Sequence, residues 1–205
     1  MPPDSEKKST RQKGDVLPRS FYCRDPAEVA VSLLVQLLVR IYKGQRLSGF
    51  IVETEAYYGP EDPASRAAKG GGLARIMAGN AGLALVYGIH RQWLLNVVAH
   101  PEKGIGAVLI RAIHPIEGVE IMRKLRNIGD VKLLTSGPGR LTRALAIDKR
   151  FHGKPLYLKD GMLRIERYLE VESGRIASSH RIGVSKDLPQ PLRFYVKDDL
   201  YVSRP

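Results

Sequence analysis

The chain has 205 residues, 43 % of them apolar and 26 % charged, which is enough for one domain with a sizeable core. This composition excludes global disorder and collagen-like structure; no stretch reaches the roughly 18–20 apolar residues of a membrane span, and a single cysteine, Cys23, excludes an internal disulfide and a Cys-based zinc site. Thirty-three Lys and Arg against 21 Asp and Glu give a net charge of +12, which points to a polyanionic partner, most commonly nucleic acid.

The N-terminal stretch carries no apolar h-region, so no secretory signal and an intracellular location are expected. Residues 1–17 are polar and aperiodic, and are expected to form a disordered basic tail ahead of a single domain over residues 18–205. Asp25-Pro26 has the form of an N-cap followed by proline at the first helical position. Beyond it, Ala30, Leu33, Leu34, Leu37 and Leu38 share one helical face, which predicts a core helix. From Leu47 to Tyr57 the pattern alternates as in a strand. Phe50, Val52, Thr54 and Ala56 fall on one side; Ile51, Glu53, Glu55 and Tyr57 fall on the other. Gly59-Pro60 ends it.

Residues 59–82 are rich in Gly and Ala, and predict a long loop of the kind that is often functional. Short strands follow at Leu83–Tyr87 and Trp93–Val98, and a buried strand at Ala107–Ile113. Pro115 is expected to open a helix with Val119, Met122 and Leu125 on one face. Thr135–Ile147 reads as a Gly-Pro-Gly turn entering a helix. Tyr157–Leu169, Arg175–Val184 and Pro191–Val196 look β-like. Strands and helices mixed without regular βα alternation predict an α+β domain.

Four features carry chemistry. First, this basic chain concentrates Glu53, Glu55, Glu61 and Asp62 within ten residues. A carboxylate on a buried strand must be paired or hydrogen-bonded, and it can serve as a general base in a dry cleft. Second, Arg111 interrupts the apolar run AVLIRAI and needs an anion, for which Glu53 and Glu55 are both candidates. Third, Ser136-Gly137-Pro138-Gly139-Arg140 brings backbone N–H groups to a helix start, where anions are favoured. Nine basic and two acidic residues lie between Arg123 and Lys154, a plausible phosphate-contacting surface or simply a solvated face. No Gly-Lys-Ser/Thr follows, which excludes a nucleotide-hydrolysing P-loop. Fourth, Tyr57, Tyr58 and Tyr87 offer flat faces for stacking a base, or ordinary packing surfaces. The five histidines show no metal-ligand spacing, and no metal is expected.

The segments IVETEAYYGPEDPAS, AVLIRAIHPIEG, LTSGPGRLTRALAI and QPLRFYV, in this order, resemble the alkyladenine (3-methyladenine) DNA glycosylase family. The resemblance runs from about Phe21 to Ser203. It implies a single α+β domain with a curved, mostly antiparallel sheet. It also implies hydrolysis of the N-glycosidic bond to damaged purines flipped out of duplex DNA, by a monomer that needs no cofactor. Glu55 matches the family's general base, which activates a water; Arg111 and the backbone carbonyl of Val184 would help hold that water. Tyr57 would stack on the flipped base. Asn96 would disfavour a guanine amino group, and Leu109 would complete the pocket. Ser136, Gly137, Gly139, Arg140 and Arg143 would meet the phosphates.

Two departures from the family stand out. Arg66 occupies the position where many relatives carry a pocket histidine; it keeps phosphate binding and stacking possible but does not titrate near neutral pH. The hairpin GLALVYGIHRQWLLN is poor in aromatics. Matching on Tyr87-Gly88 makes Tyr87 the residue that intercalates, and is preferred; matching on Asn96 without gaps makes it Ile89. The competing reading is a non-catalytic or RNA-directed nucleic-acid-binding module on the same fold, in which Glu55 and Arg111 form only a structural pair.

Overall fold

A computed structural model describes residues 14–169 and 172–204. Asp25 caps the helix its sequence predicts: its Oδ1 accepts from the amide of Ala27 at 2.8 Å, with Pro26 at the first turn. Two short helices open the domain, α1 (Arg19–Tyr22) and α2 (Pro26–Leu33). Strands β1 (Leu37–Tyr42) and β2 (Gln45–Tyr57) follow, then helix α3 (Gly71–Met77). Next come β3 (Ala84–Ile89), β4 (Gln92–Val98), β5 (Ala107–Glu117), α4 (Val119–Arg126) and α5 (Pro138–Ala144). Strands β6 (Leu163–Glu166), β7 (Ile176–Ser179) and β8 (Arg193–Val196) complete the sheet.

All pairings are antiparallel, in the order β3-β4-β5-β2-β1-β6, with β8 joining β2 and carrying β7. Strand β2 is the axis. One edge pairs with β5 along most of its length; the other pairs first with β1 and then, from Glu53 to Glu55, with β8. One strand thus serves two diverging neighbours, and the sheet curls around it. Helix α2 packs on β2, where the Thr54 hydroxyl donates to the Ala30 carbonyl at 2.9 Å. Both faces of β2 are therefore covered, and every residue from Ile51 to Ala56 is buried. The result is a single α+β domain.

The β2–β5 register breaks where chemistry is expected. Ile51 faces Ile113, Glu53 faces Ala112 and Thr54 faces Ile110, so Val52 and Arg111 are each left over. Extra residues of this kind re-aim side chains, and here the bulge brings Arg111 to both glutamates.

Several expectations need correction. The first core helix stops at Leu33; Leu37 and Leu38 belong to β1. Val35 turns the chain at φ +58°, its amide donates to the Ile51 carbonyl at 2.8 Å, and the β-branched Val39 and Ile41 then favour a strand. Pro115 does not open α4; it lies in β5 opposite Gly49, where the register shifts and no ladder donor is needed. The 59–82 segment is not all loop, since it contains a turn of 3-10 helix at Ala67–Lys69 and α3. The last β-like stretches shrink to β6, β7 and β8, because 180–192 is a loop pinned by side chains. Of the tail expected over residues 1–17, residues 1–13 lie outside the described ones. Leu17 is fully buried, and its amide donates to the Ile165 carbonyl at 2.9 Å, so order begins before residue 18.

Candidate active site

Two glutamates two apart on β2 project toward the same region, each with a fully buried side chain. Burial of two such charges is costly unless each is met by donors. Glu55 is met by three. Its Oε1 accepts from the Ile182 amide at 2.7 Å and lies 3.2 Å from a terminal nitrogen of Arg111. Its Oε2 accepts from the Tyr57 hydroxyl at 2.7 Å. Glu53 accepts from Nε of Arg111 and Nε of Arg193, both at 2.8 Å. It also accepts from the Ser203 amide at 2.7 Å and the Ser203 hydroxyl at 2.9 Å. Arg111 therefore serves both candidate partners at once.

The two carboxyls are held apart in acidity. Burial pushes both upward. At Glu53 the charges of Arg111 and Arg193 and the Ser203 amide outweigh burial, and the net direction is down. At Glu55 burial prevails over Arg111, the Ile182 amide and the Tyr57 hydroxyl, and the Glu53 charge adds to it; the net direction is up. A carboxylate raised above its ordinary range beside one held below it is a common arrangement for a general base with an ionised companion.

Beside this cluster opens a cavity of about 570 Å³. Tyr57, Arg66, Tyr87, Leu109, Arg111 and Val184 line it, together with Ile89 and His90 of the hairpin tip. Ser136, Gly137, Gly139 and Arg140 line its opposite rim. Three predicted residues stay outside the lining. Glu55 is fully buried and bonded to three groups that do line the cavity, Tyr57, Arg111 and Ile182. Asn96 is buried behind Tyr87, its amide donating to the Leu85 carbonyl at 3.0 Å. Arg143 is exposed on the outer face of α5.

Tyr57 is fixed from two directions. Its hydroxyl is tied to Glu55, and the Arg181 guanidinium carbon stands 4.6 Å from its ring centroid. Tyr57 lines the cavity and Arg181 does not, so the guanidinium backs the ring. Arg181 is itself buried between Asp62, at 2.6 and 2.8 Å, and Asp187, at 2.6 Å, and it donates to the Ala56 carbonyl at 3.0 Å. Sequence reasoning noted Asp62 but missed Arg181, Asp187, Arg193, Ser203 and the Ile182 amide. Tyr58 takes no part in the cavity; its hydroxyl donates to Asp25 at 3.0 Å.

Tyr87 faces the cavity wall, with the Arg66 guanidinium carbon 5.1 Å from its ring centroid. Beyond it the hairpin turns at His90 and Arg91, with φ of +47° and +61°. Both central residues of the tight turn are left-handed, as the sheet twist demands, although neither is glycine. At the facing rim, Gly137 adopts φ +137°, open in practice only to glycine. Arg140 donates to the Ser136 carbonyl and hydroxyl at 3.1 and 3.0 Å. A Cβ on Gly139 would overlap the side chain of Gln92 at the base of β4, and the Thr142 hydroxyl donates to the Trp93 carbonyl at 2.7 Å. Helix α5 is thereby locked to the hairpin. Among the described residues no group of three or more His, Cys, Asp or Glu could hold a metal ion, and no helix is long and apolar enough to cross a membrane.

An arginine and a backed tyrosine, both bonded to a buried strand glutamate, thus share one cavity with a basic rim, and sequence comparison says to which class of protein this belongs. The profile of the methylpurine-DNA glycosylase (MPG) family matches residues 20–200, and the chain belongs to that family. Among curated relatives, one from Aeropyrum pernix is 46 % identical over 93 % of this chain and 94 % of its own length. Others from Salinibacter ruber and Carboxydothermus hydrogenoformans are 40 % and 41 % identical, over 91 % and 92 % of this chain and 96 % and 99 % of their own lengths. All three carry the provisional name 3-methyladenine DNA glycosylase.

Replacing Arg181 with methionine leaves Asp62 and Asp187 buried without their cation. Their carboxyls are held low mainly by Arg181, against burial, so their stabilising effect is present at neutral pH and fades as pH falls through the depressed values. Arg181→Met is expected to lower unfolding free energy at pH 7 by about 3–5 kcal/mol. Urea denaturation measures this, and a change below about 1 kcal/mol would show that the two aspartates do not depend on Arg181.

Proposed function

We propose that the protein is a monofunctional DNA glycosylase that releases alkylated or deaminated purines flipped out of duplex DNA. The carrying observation is the buried Glu55, raised by burial yet tied to Arg111, directly behind the Tyr57, Arg111 and Ile182 wall of a cavity large enough for a purine. The names carried by the relatives support the same chemistry.

Glu55 accepts a proton from a water as that water attacks C1′. The N-glycosidic bond breaks, its electron pair leaves with the base, and the sugar passes through an oxocarbenium-like transition state. Alkylation at a ring nitrogen makes the base cationic and a good leaving group, so water activation and a dry, stacked pocket are the main requirements. The Glu55 charge also favours the positive sugar. Arg111 and the Val184 carbonyl help hold the water. No cofactor enters any step.

Tyr57, rigid between Glu55 and Arg181, is the platform on which the base stacks. Tyr87, its ring held by the Arg66 guanidinium, forms the facing wall rather than the wedge. Ile89, one step further out on the same face of β3, fills the space left in the duplex. Leu109 closes the pocket floor, and Asn96 acts from behind Tyr87. Arg66 supplies donors only, so it favours a base edge that accepts hydrogen bonds. Ser136, Gly137, Gly139 and Arg140 grip the phosphates, with Arg143 outside them. The domain acts as a monomer.

Glu55→Gln is expected to slow single-turnover base release by about 10²–10⁴-fold while duplex binding changes little. The substrates are oligonucleotides carrying 3-methyladenine, 7-methylguanine, hypoxanthine or ethenoadenine. Because only the ionised carboxyl accepts the proton, release falls as pH drops through the raised Glu55 value. Release undiminished in the variant would remove Glu55 as the general base, whereas release absent from every lesion in folded wild-type protein that binds DNA would favour a binding module.

Arg140→Ala is expected to weaken binding to all duplex sequences and to reduce the slope of log affinity against log salt by about 1; an unchanged slope removes Arg140 from the phosphate contacts. With 2-aminopurine beside the lesion, the fluorescence rise on binding reports unstacking. Ile89→Ala is expected to lose most of that rise and Tyr87→Ala to keep it, and the reverse pattern makes Tyr87 the wedge.

A further inference from the structure

Arg111 stands between two carboxylates and cannot serve both equally. How it divides itself depends on what else Glu53 binds. The described structure shows Glu53 saturated by groups from two other parts of the chain. Arg193, opposite Glu55 in the β2–β8 register, gives Nε to Glu53 and a terminal nitrogen to the Ser179 hydroxyl at 2.9 Å; it also donates to the Arg204 carbonyl. Ser203 gives its amide and its hydroxyl, one to each oxygen of Glu53. The same hydroxyl accepts from Arg111 at 3.3 Å. Every nitrogen of the Arg111 guanidinium is thus occupied, by Glu53, Glu55 and Ser203.

The segment that delivers Ser203 is not loosely placed. Tyr201 is buried, its amide donates to Asp199 at 2.9 Å, and its ring lies 4.6 Å from that of His114 on β5. His114 in turn contacts Asp199 at 2.9 Å. The segment is clamped on β5 three residues from Arg111, and Ser203 and Arg204 reach the cavity.

We infer that Ser203 is a positioning residue for base release: together with Arg193 it locks Glu53, and the locked Glu53 holds Arg111 at the distance from Glu55 that the reaction needs. This rests on the proposed role of Glu55. Glu53 and Arg193 lie outside the cavity lining, and Ser203, at its edge, acts through Glu53 and Arg111. Removing the Ser203 hydroxyl leaves Glu53 short of a donor, and Arg111 turns toward Glu53. Glu55 then loses part of its cation and holds its proton to higher pH. Removing the Glu53 charge does the opposite, since Arg111 is left to Glu55 alone. Tyr57 on its own strand, Tyr87 on β3 and the Ile182 amide, which also face Glu55, keep their partners in both substitutions, and Arg193 on β8, opposite Glu55 in the register, loses its anionic partner only in Glu53→Gln.

The test is the pH dependence of single-turnover release from a duplex bearing one of the lesions above, for full-length wild type, Ser203→Ala, Ser203→Thr, Glu53→Gln and Glu55→Gln. Ser203→Ala should move the acid limb up by about half a pH unit, roughly a threefold loss of rate on the acid side. Ser203→Thr should restore the wild-type profile. Glu53→Gln should move the limb down by about one unit. Opposite movements are not expected of damage to folding, which lowers the rate at every pH. A limb that stays in place in both variants, with Glu55→Gln inactive, overturns this proposal alone. Release that survives in Glu55→Gln overturns the role of Glu55 and this proposal with it.

Discussion

Two carboxylates buried on one strand dominate this structure. An ionised glutamate moved from water into a sheet interior loses several kcal/mol of hydration, and here there are two, on alternate residues of β2. The chain meets the cost with donors from far apart in sequence: Arg111 on β5, Arg193 on β8, the Ile182 amide and Ser203. A third acid, Asp62, draws in Arg181 and with it the loop 180–192. Much of what looks irregular follows from this demand. The bulge at Arg111, the change of neighbour along β2 and the pinned loop all deliver a donor to an acid.

The same demand separates the acids by role. Glu53 is surrounded by hydrogen-bond donors and stays ionised. Glu55 is left with weaker company, and the groups that hold it are the ones that line the cavity. Equal side chains on one strand therefore differ through their surroundings and not through their position in the motif.

Much of this was legible in the sequence. Glu55, Arg111 and Tyr57 stood out because each is a polar or aromatic residue set in apolar strand pattern, and the structure brings all three together, Tyr57 and Arg111 lining the cavity and Glu55 bonded behind them. Arg193 carried the same signal as Arg111, an arginine inside the apolar run PLRFYV, and was passed over. Arg181 and Ser203 gave no signal at all. They lie outside regular elements, where no periodicity marks a buried side chain, and their importance is a matter of tertiary contact. The fold was readable where a pattern was long. It failed at β1, where LLVQLL satisfies helical and strand spacing alike and only pairing with β2 decides. The hairpin tip was ambiguous for a related reason. Counting residues to Tyr87 or to Asn96 does not choose between Tyr87 and Ile89, two residues apart on one face of β3, and both line the cavity.

The contact between α5 and the hairpin has a mechanical consequence. Gly139 lets the helix start lie directly on Gln92, and Thr142 is bonded to the strand beside it. The rim that would grip a backbone and the tip that would enter a base stack are therefore one rigid body with a fixed span. On the proposed reading the grip on the backbone and the contact with the base stack cannot adjust independently, because a displacement of α5 carries the base of the hairpin with it.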